Sequence, residues 1–142
     1  MIRKFKEHDT TCVMGIWKEA SSLAHPFLNA GFVKKVGKDL KNLYLPNSKT
    51  WVYVEDEMVI AFISMINNEI GGIFVSPEEH ARGIGTQLVN FVGLIHDHLE
   101  VEVFEKNVIG RAFYTKYGFS HMKKYLHEES QESILRLKCT TG

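Results

Sequence analysis

Residues 73–88 read IFVSPEEHARGIGTQL: an apolar run, a polar turn, and then Arg82-Gly83-Ile84-Gly85-Thr86 opening an amphipathic stretch. The first amides of a helix have no acceptor within the helix, and the helix dipole draws anions to that end. Glycines at 83 and 85 remove side chains that would hold a phosphate off the backbone, and Arg82 adds positive charge. The chemistry open to such a turn is to cradle a pyrophosphate. The spacing is neither G-x-x-x-x-G-K-[ST] nor a G-x-G-x-x-G followed by an acidic residue about 20 positions on. Taken alone, the turn reads equally well as a glycine-containing helix start that binds nothing.

A second segment changes the balance. Residues 99–119, LEVEVFEKNVIGRAFYTKYGF, give a strand, Asn107 at a turn, a helix carrying Phe113 and Tyr114, and a Gly118-Phe119 stop. Together the two segments resemble the GNAT superfamily of N-acetyltransferases, whose signatures are R/Q-x-x-G-x-G/A and a later N-x₆-Y-x₃-G-F. The second signature is met by Asn107, Tyr114, Gly118 and Phe119 with every spacing kept. The first departs at one position, where His80 replaces the usual Arg or Gln. The resemblance covers nearly the whole chain and is most specific over 73–119. It implies acetyl-CoA as cosubstrate and no metal. The cosubstrate would be held by Phe74 and Val75, by the turn His80, Ala81, Arg82, Gly83, Ile84, Gly85 and Thr86, and by Asn107 and Tyr114.

Acyl transfer to an amine needs a neutral amine, a polarised thioester carbonyl and a proton for the departing thiolate. A lysine-type amine has a pKa of about 10.4 and a thiol one of about 8.5, so the first must lose a proton and the second gains from receiving one. The resemblance implies that Tyr114 is the acid and that the Val75 amide holds the carbonyl. In LEVEVF, Leu99, Val101 and Val103 share one face of a strand, and Glu100, Glu102 and Phe104 share the other. Glu102 stands where ribosomal-protein N-terminal acetyltransferases of this superfamily carry a glutamate proposed as base, acting directly or through water. His25 is the competing base. It belongs to an A-H-P-F-L segment that resembles small bacterial members, protein-lysine acetyltransferases among them. His25, Phe27 and Trp51 are the expected acceptor-binding residues, with Tyr53 beside Trp51. The resemblance implies a protein lysine or N-terminal amine as the acceptor. A small amine (polyamine, aminoglycoside or amino acid) and a non-catalytic acetyl-CoA sensor are the alternatives.

The elements that must position these residues follow from periodicity. Residues 2–7 alternate as a strand, and Asp9 and Thr10 offer N-cap chemistry for a helix through Val13, Ile16, Trp17, Ala20 and Leu23. His25-Pro26 breaks it, and a second helical pattern runs from about Phe27 to Leu45, stopping near Pro46. Strands are expected at 50–55, 59–66 and 70–75, then a helix from Gly83 with Ile84, Leu88, Phe91, Val92 and Ile95 on one stripe. A strand at 99–104, a helix at 108–117 and strands at 119–126 and 133–138 complete the order β-α-α-β-β-β-α-β-α-β-β. That is an α/β (α+β) domain with a mixed seven-stranded sheet and helices on both faces.

With 142 residues, the chain fits one domain spanning 1–142. Its 17 Lys and Arg balance 17 Asp and Glu, against the basic excess of nucleic-acid binders. No apolar run approaches the roughly 20 residues of a membrane span, and MIRKFKEHDT lacks the apolar core of a signal peptide. Cys12 and Cys139 are isolated and read as buried thiols, consistent with a cytoplasmic protein without disulfides, monomeric or homodimeric.

Overall fold

The computed structural model describes residues 1–141. Its centre is one seven-stranded sheet in the order β1-β2-β3-β4-β5-β7-β6. The strands are β1 (Ile2–Lys4), β2 (Lys49–Glu55), β3 (Met58–Ile66), β4 (Glu69–Val75), β5 (His98–Phe104), β6 (Ser120–His127) and β7 (Glu132–Thr140). Four helices cover it: α1 (Thr10–Ala24), α2 (Ala30–Asp39), α3 (Ile84–Gly93) and α4 (Val108–Tyr117). Strand parity decides which side chains meet which helices. Val52 and Phe62 face one another in register and join Val13, Ile16 and Trp17 of α1. Trp51 and Ile63, one residue along, face the other way and join Leu88, Val92 and Tyr114 of α3 and α4. Helices therefore lie on both faces, as expected. No helix among the described residues is long and apolar enough to cross a membrane.

Three boundaries differ from the sequence reading. β1 ends at Lys4, because the Asp9 carboxylate turns back to accept the Lys6 amide at 2.8 Å and the Arg3 guanidinium at 2.8 and 3.0 Å. Asp9 thus folds residues 7–9 into a 3₁₀ turn and makes no side-chain cap on α1. α2 starts at Ala30, where the Asn29 side chain caps Phe32, and the chain stays helical beyond Leu45 through a π-helical turn at Leu40–Tyr44 to Asn47. Pro46 is accommodated at the start of that last short stretch. α3 stops at Gly93, leaving Leu94 and Ile95 exposed, so Ile95 does not join the buried stripe of Ile84, Leu88, Val89 and Val92. Cys12 is also corrected: it is exposed on α1, one residue from the buried Val13.

Asp9 is 3% exposed, and Arg3 holds its carboxyl below the ordinary carboxylate range. A depressed carboxylate contributes stability above its unfolded pKa and loses it as pH falls toward its folded one. Asp9→Ala is expected to cost about 2 kcal/mol at pH 7 by urea denaturation. The gap to the wild type should narrow as pH drops below about 3.9.

The site depends on where β4 and β5 part. These two parallel strands register at only two pairs, Glu69 with Glu100 and Ile70 with Val101. On the other side of β4, Met65 pairs with Ile70 and Ser64 with Gly72, so Gly71 is an extra residue. That bulge bends β4 directly after its last pairing residue. Further along, the Ser76 amide donates to the Ile60 carbonyl at 2.8 Å. Antiparallel alternation then turns the Val75 amide and carbonyl away from β3 and into the gap beside β5.

Candidate active site

A cleft of about 1660 Å³ follows the gap, lined by the end of β4, the turn before α3, α4, and the α1–α2 loop. That exceeds the roughly 300–1,000 Å³ of a single small-molecule pocket and suits two reactants entering from opposite faces.

On the α3 face, the turn from His80 to Gly83 has two residues with positive φ, Ala81 at 64° and Gly83 at 79°. Alternation of this kind aims successive N–H groups to one side, the geometry of an anion nest. His80 donates its amide to Pro77, and Gln87 is the next residue to find a backbone acceptor, at Gly83. Six consecutive amides, 81 through 86, therefore have no protein hydrogen-bond partner among the described residues. Gly83 stands at the open side, where a Cβ would meet nothing within 4 Å. Gly85 has a different role: a Cβ there would lie 3.1 Å from the Phe113 ring, so this glycine lets α4 pack on α3. Arg82 does not add its charge to the turn. Its guanidinium forks onto Glu55 at 2.8 and 3.1 Å and also pairs with Glu79, leaving its backbone amide available. The His80 ring bonds the Val75 carbonyl at 3.0 Å and braces the end of β4 against the turn. Phe74 points its ring at Phe62 and lines the cleft with its side chain.

α4 presents two tyrosines with opposite fates. Tyr117 gives its hydroxyl to Asn90 of α3 at 2.6 Å. Tyr114 packs its ring against Phe113 and Phe119, each 5.3 Å away, and lines the cleft. Among the described residues the one fully buried, unpartnered side-chain donor or acceptor is Asn68 Nδ2, so the Tyr114 hydroxyl, which bonds none of them, reaches the cleft that the residue lines. Burial of the ring raises its pKa above the usual phenol value and keeps it protonated. Asn107, 8% exposed, caps α4 by accepting the Gly110 amide at 2.8 Å, and its Nδ2 donates to His25 Nε2 at 3.2 Å. The other His25 nitrogen meets Ser21 Oγ at 3.2 Å. Burial pushes His25 down to about 4, so the ring is neutral at pH 7 with both nitrogens engaged. That arrangement suits a structural link between α1 and α4 better than a base.

The opposite face carries Glu102 and Phe104, on the side of β5 that parity assigned them. Phe104 meets His25 at 5.2 Å and Phe27 at 5.6 Å, edge to face, and His127 of β6 at 6.2 Å. Trp51 is a correction. It is 7% exposed, packs edge-on against Phe91 and faces α3 rather than the acceptor side, and Tyr53 shares its parity.

These features find a match among known proteins. A family model described as an acetyltransferase (GNAT) domain fits residues 46–121. The peptidyl-lysine N-acetyltransferase YiaC of Escherichia coli (strain K12) is 30% identical over 132 residues, 92% of this chain and 90% of YiaC. The chain belongs to the GNAT acetyltransferase family. A second GNAT relative, the peptidyl-lysine N-acetyltransferase YjaB of the same organism, is 27% identical over 119 residues, 83% of this chain and 80% of YjaB. The solution structure of apo-form YjaB from Escherichia coli shares the GNAT fold with a TM-score of 0.87 at 23% identity, covering 97% of this chain and 95% of that one. The PaiA N-acetyltransferase from Thermoplasma acidophilum in complex with coenzyme A gives 0.77 at 19% identity, covering 98% of each chain.

One group on the Glu102 face of this GNAT sheet escaped the sequence reading. Arg136 of β7 lies in register with Glu102 and contacts Glu69, Glu100 and Glu102. Its signal was present, an arginine in a strand whose opposite face carries Leu135 and Leu137.

Proposed function

We propose that the chain carries the acetyl group of acetyl-CoA to the ε-amine of a lysine in a protein or peptide. The observation that carries this reading is the row of free amides 81–86 at the mouth of the β4–β5 gap. A diphosphate offers the negative charge and acceptor oxygens that such a row satisfies. The free edge of β4 at Val75 suits the secondary amides of a pantetheine arm lying along a strand. When bound, acetyl-CoA supplies an activated acyl carbon and a thiol leaving group. The Val75 amide donates to the acyl oxygen and stabilises the charge that develops there. Glu102 takes a proton from the acceptor ammonium, directly or through a water. Tyr114, kept protonated by burial, gives its phenolic proton to the departing sulfur. The two free cysteines suit a reducing, cytoplasmic setting.

A lysine side chain fits the acceptor face. The rings of Phe104, Phe27 and His25 offer apolar edges to its aliphatic stem, and Glu102, held less closely by Arg136 than Glu69 and Glu100 are, offers negative charge to its head. The names of two relatives, both peptidyl-lysine N-acetyltransferases, support the same acceptor. A second reading rests on the mouth of this face. Lys35 of α2 pairs with Glu129 in the β6–β7 turn, and Phe32 meets the His127 ring at 5.7 Å. These contacts draw α2 toward the hairpin and narrow the entrance, which favours a small free amine. Thiol release measured against lysine peptides, polyamines, aminoglycosides and amino acids separates the two. The best peptide is expected to exceed the best small amine in kcat/KM by about tenfold or more, equivalent to about 1.4 kcal/mol. The reverse order replaces the lysine reading with the small-amine one. Binding of acetyl-CoA without turnover on any acceptor leaves a sensor domain.

A further inference from the structure

Glu69 and Glu100 face one another in the first of the two β4–β5 register pairs. Like charges directly opposite across strands are destabilising, and here they sit where two strands are joined by little else. Arg136 resolves the conflict. Its Nε and Nη2 both reach Glu100 Oε1 at 2.8 Å, and Nη2 also donates to Glu69 Oε1 at 3.0 Å. The third nitrogen, Nη1, lies 3.4 Å from Glu102 Oε2. Glu102 is the first residue of β5 on this face with no partner in β4, because pairing ends at Val101. A planar guanidinium with donors in a fixed fork can hold three carboxylates at set angles, which a lysine cannot.

We infer that Arg136 is a positioning residue for acetyl transfer. It ties β4 to β5 at the point from which they separate, and it holds the Glu102 carboxylate at the start of the gap. The inference rests on the reading of Glu102 as the base. The charged and titratable groups facing this cluster are His98 and Glu100 on β5, Glu69 on β4, Arg136 and Lys138 on β7, in register with Glu102 and Glu100, and Lys123 on β6, in register with Arg136. From the helical side comes His25, which is neutral. Arg136 is therefore the cation in contact with Glu102, at 3.4 Å.

Arg136→Gln should lower kcat about tenfold or more, with the acetyl-CoA dissociation constant within about twofold of wild type, because the phosphate turn lies on the other face. Arg136→Lys should recover part of kcat, restoring the charge without the fork. A triple variant, E69Q/E100Q/R136Q, removes the opposed carboxylates and tests whether joining the strands is the whole role. It should regain the wild-type melting temperature but not kcat, and it keeps the test open if Arg136→Gln alone fails to fold. Wild-type kcat in Arg136→Gln, or full recovery in the triple variant, overturns the inference. Glu102→Gln measured alongside distinguishes the underlying reading. A slow Glu102→Gln beside a normal Arg136→Gln removes the positioning role alone, whereas a wild-type Glu102→Gln removes base and positioning together.

Discussion

Tyr114→Phe is expected to lower kcat by about 10²-fold or more while leaving acetyl-CoA affinity and melting temperature near wild type. The expectation follows from how the side chain is divided. The ring is held by Phe113 and Phe119 and is 7% exposed, so phenylalanine keeps the packing. The hydroxyl bonds no described residue, so its removal strands no partner and costs little stability. What is lost is a proton donor aimed into the cleft. Because burial raises the pKa of Tyr114, the wild type should show no alkaline loss of kcat from this group below about pH 10. Stopped-flow thiol release under single turnover isolates the chemical step. A variant with wild-type single-turnover rate across pH would assign the proton to water and leave Tyr114 a packing residue.

Gly83→Asp is expected to weaken acetyl-CoA by more than about tenfold, or about 1.4 kcal/mol. A Cβ at position 83 would project into open space beside the six free amides, so the added carboxylate would sit where phosphate oxygens are expected. The left-handed backbone at φ 79° costs a non-glycine residue about 1–2 kcal/mol in the fold. Gly83→Ala carries that strain without the charge and is the control. Calorimetry should show a small loss for alanine and a large one for aspartate, with the aspartate penalty easing as ionic strength rises. Equal losses would mean that backbone strain, and not charge, governs the turn. Gly85→Ala belongs to a different class: its methyl would press on Phe113 at 3.1 Å and should act through stability.

The sequence alone carried the element order, the two signature segments and the face assignment on β5, because each rests on local chemistry. Alternation separates Glu102 from Val101 and Val103 whatever the rest of the chain does. An asparagine before a helix caps it, and a glycine with positive φ ends it, as Asn107 and Gly118 do at α4. Helix ends were read less well, since α3 stops at Gly93 and the π-helical turn at Leu40–Tyr44 carries the second helix past its expected stop. Only the tertiary structure decided the pairings between distant residues. Asn107 meets His25 across 82 positions, and Arg136 meets Glu69 across 67. The Arg82 side chain, read locally as phosphate charge, goes to Glu55, 27 positions away. Trp51 left the acceptor face because the β2–β3 register turned its parity toward α3. The physical reason is common to the three polar pairs. A side chain's hydrogen-bonding capacity is set by its type, but which partner fills it depends on the strand order and the bulge at Gly71, and neither leaves a periodic trace in the chain.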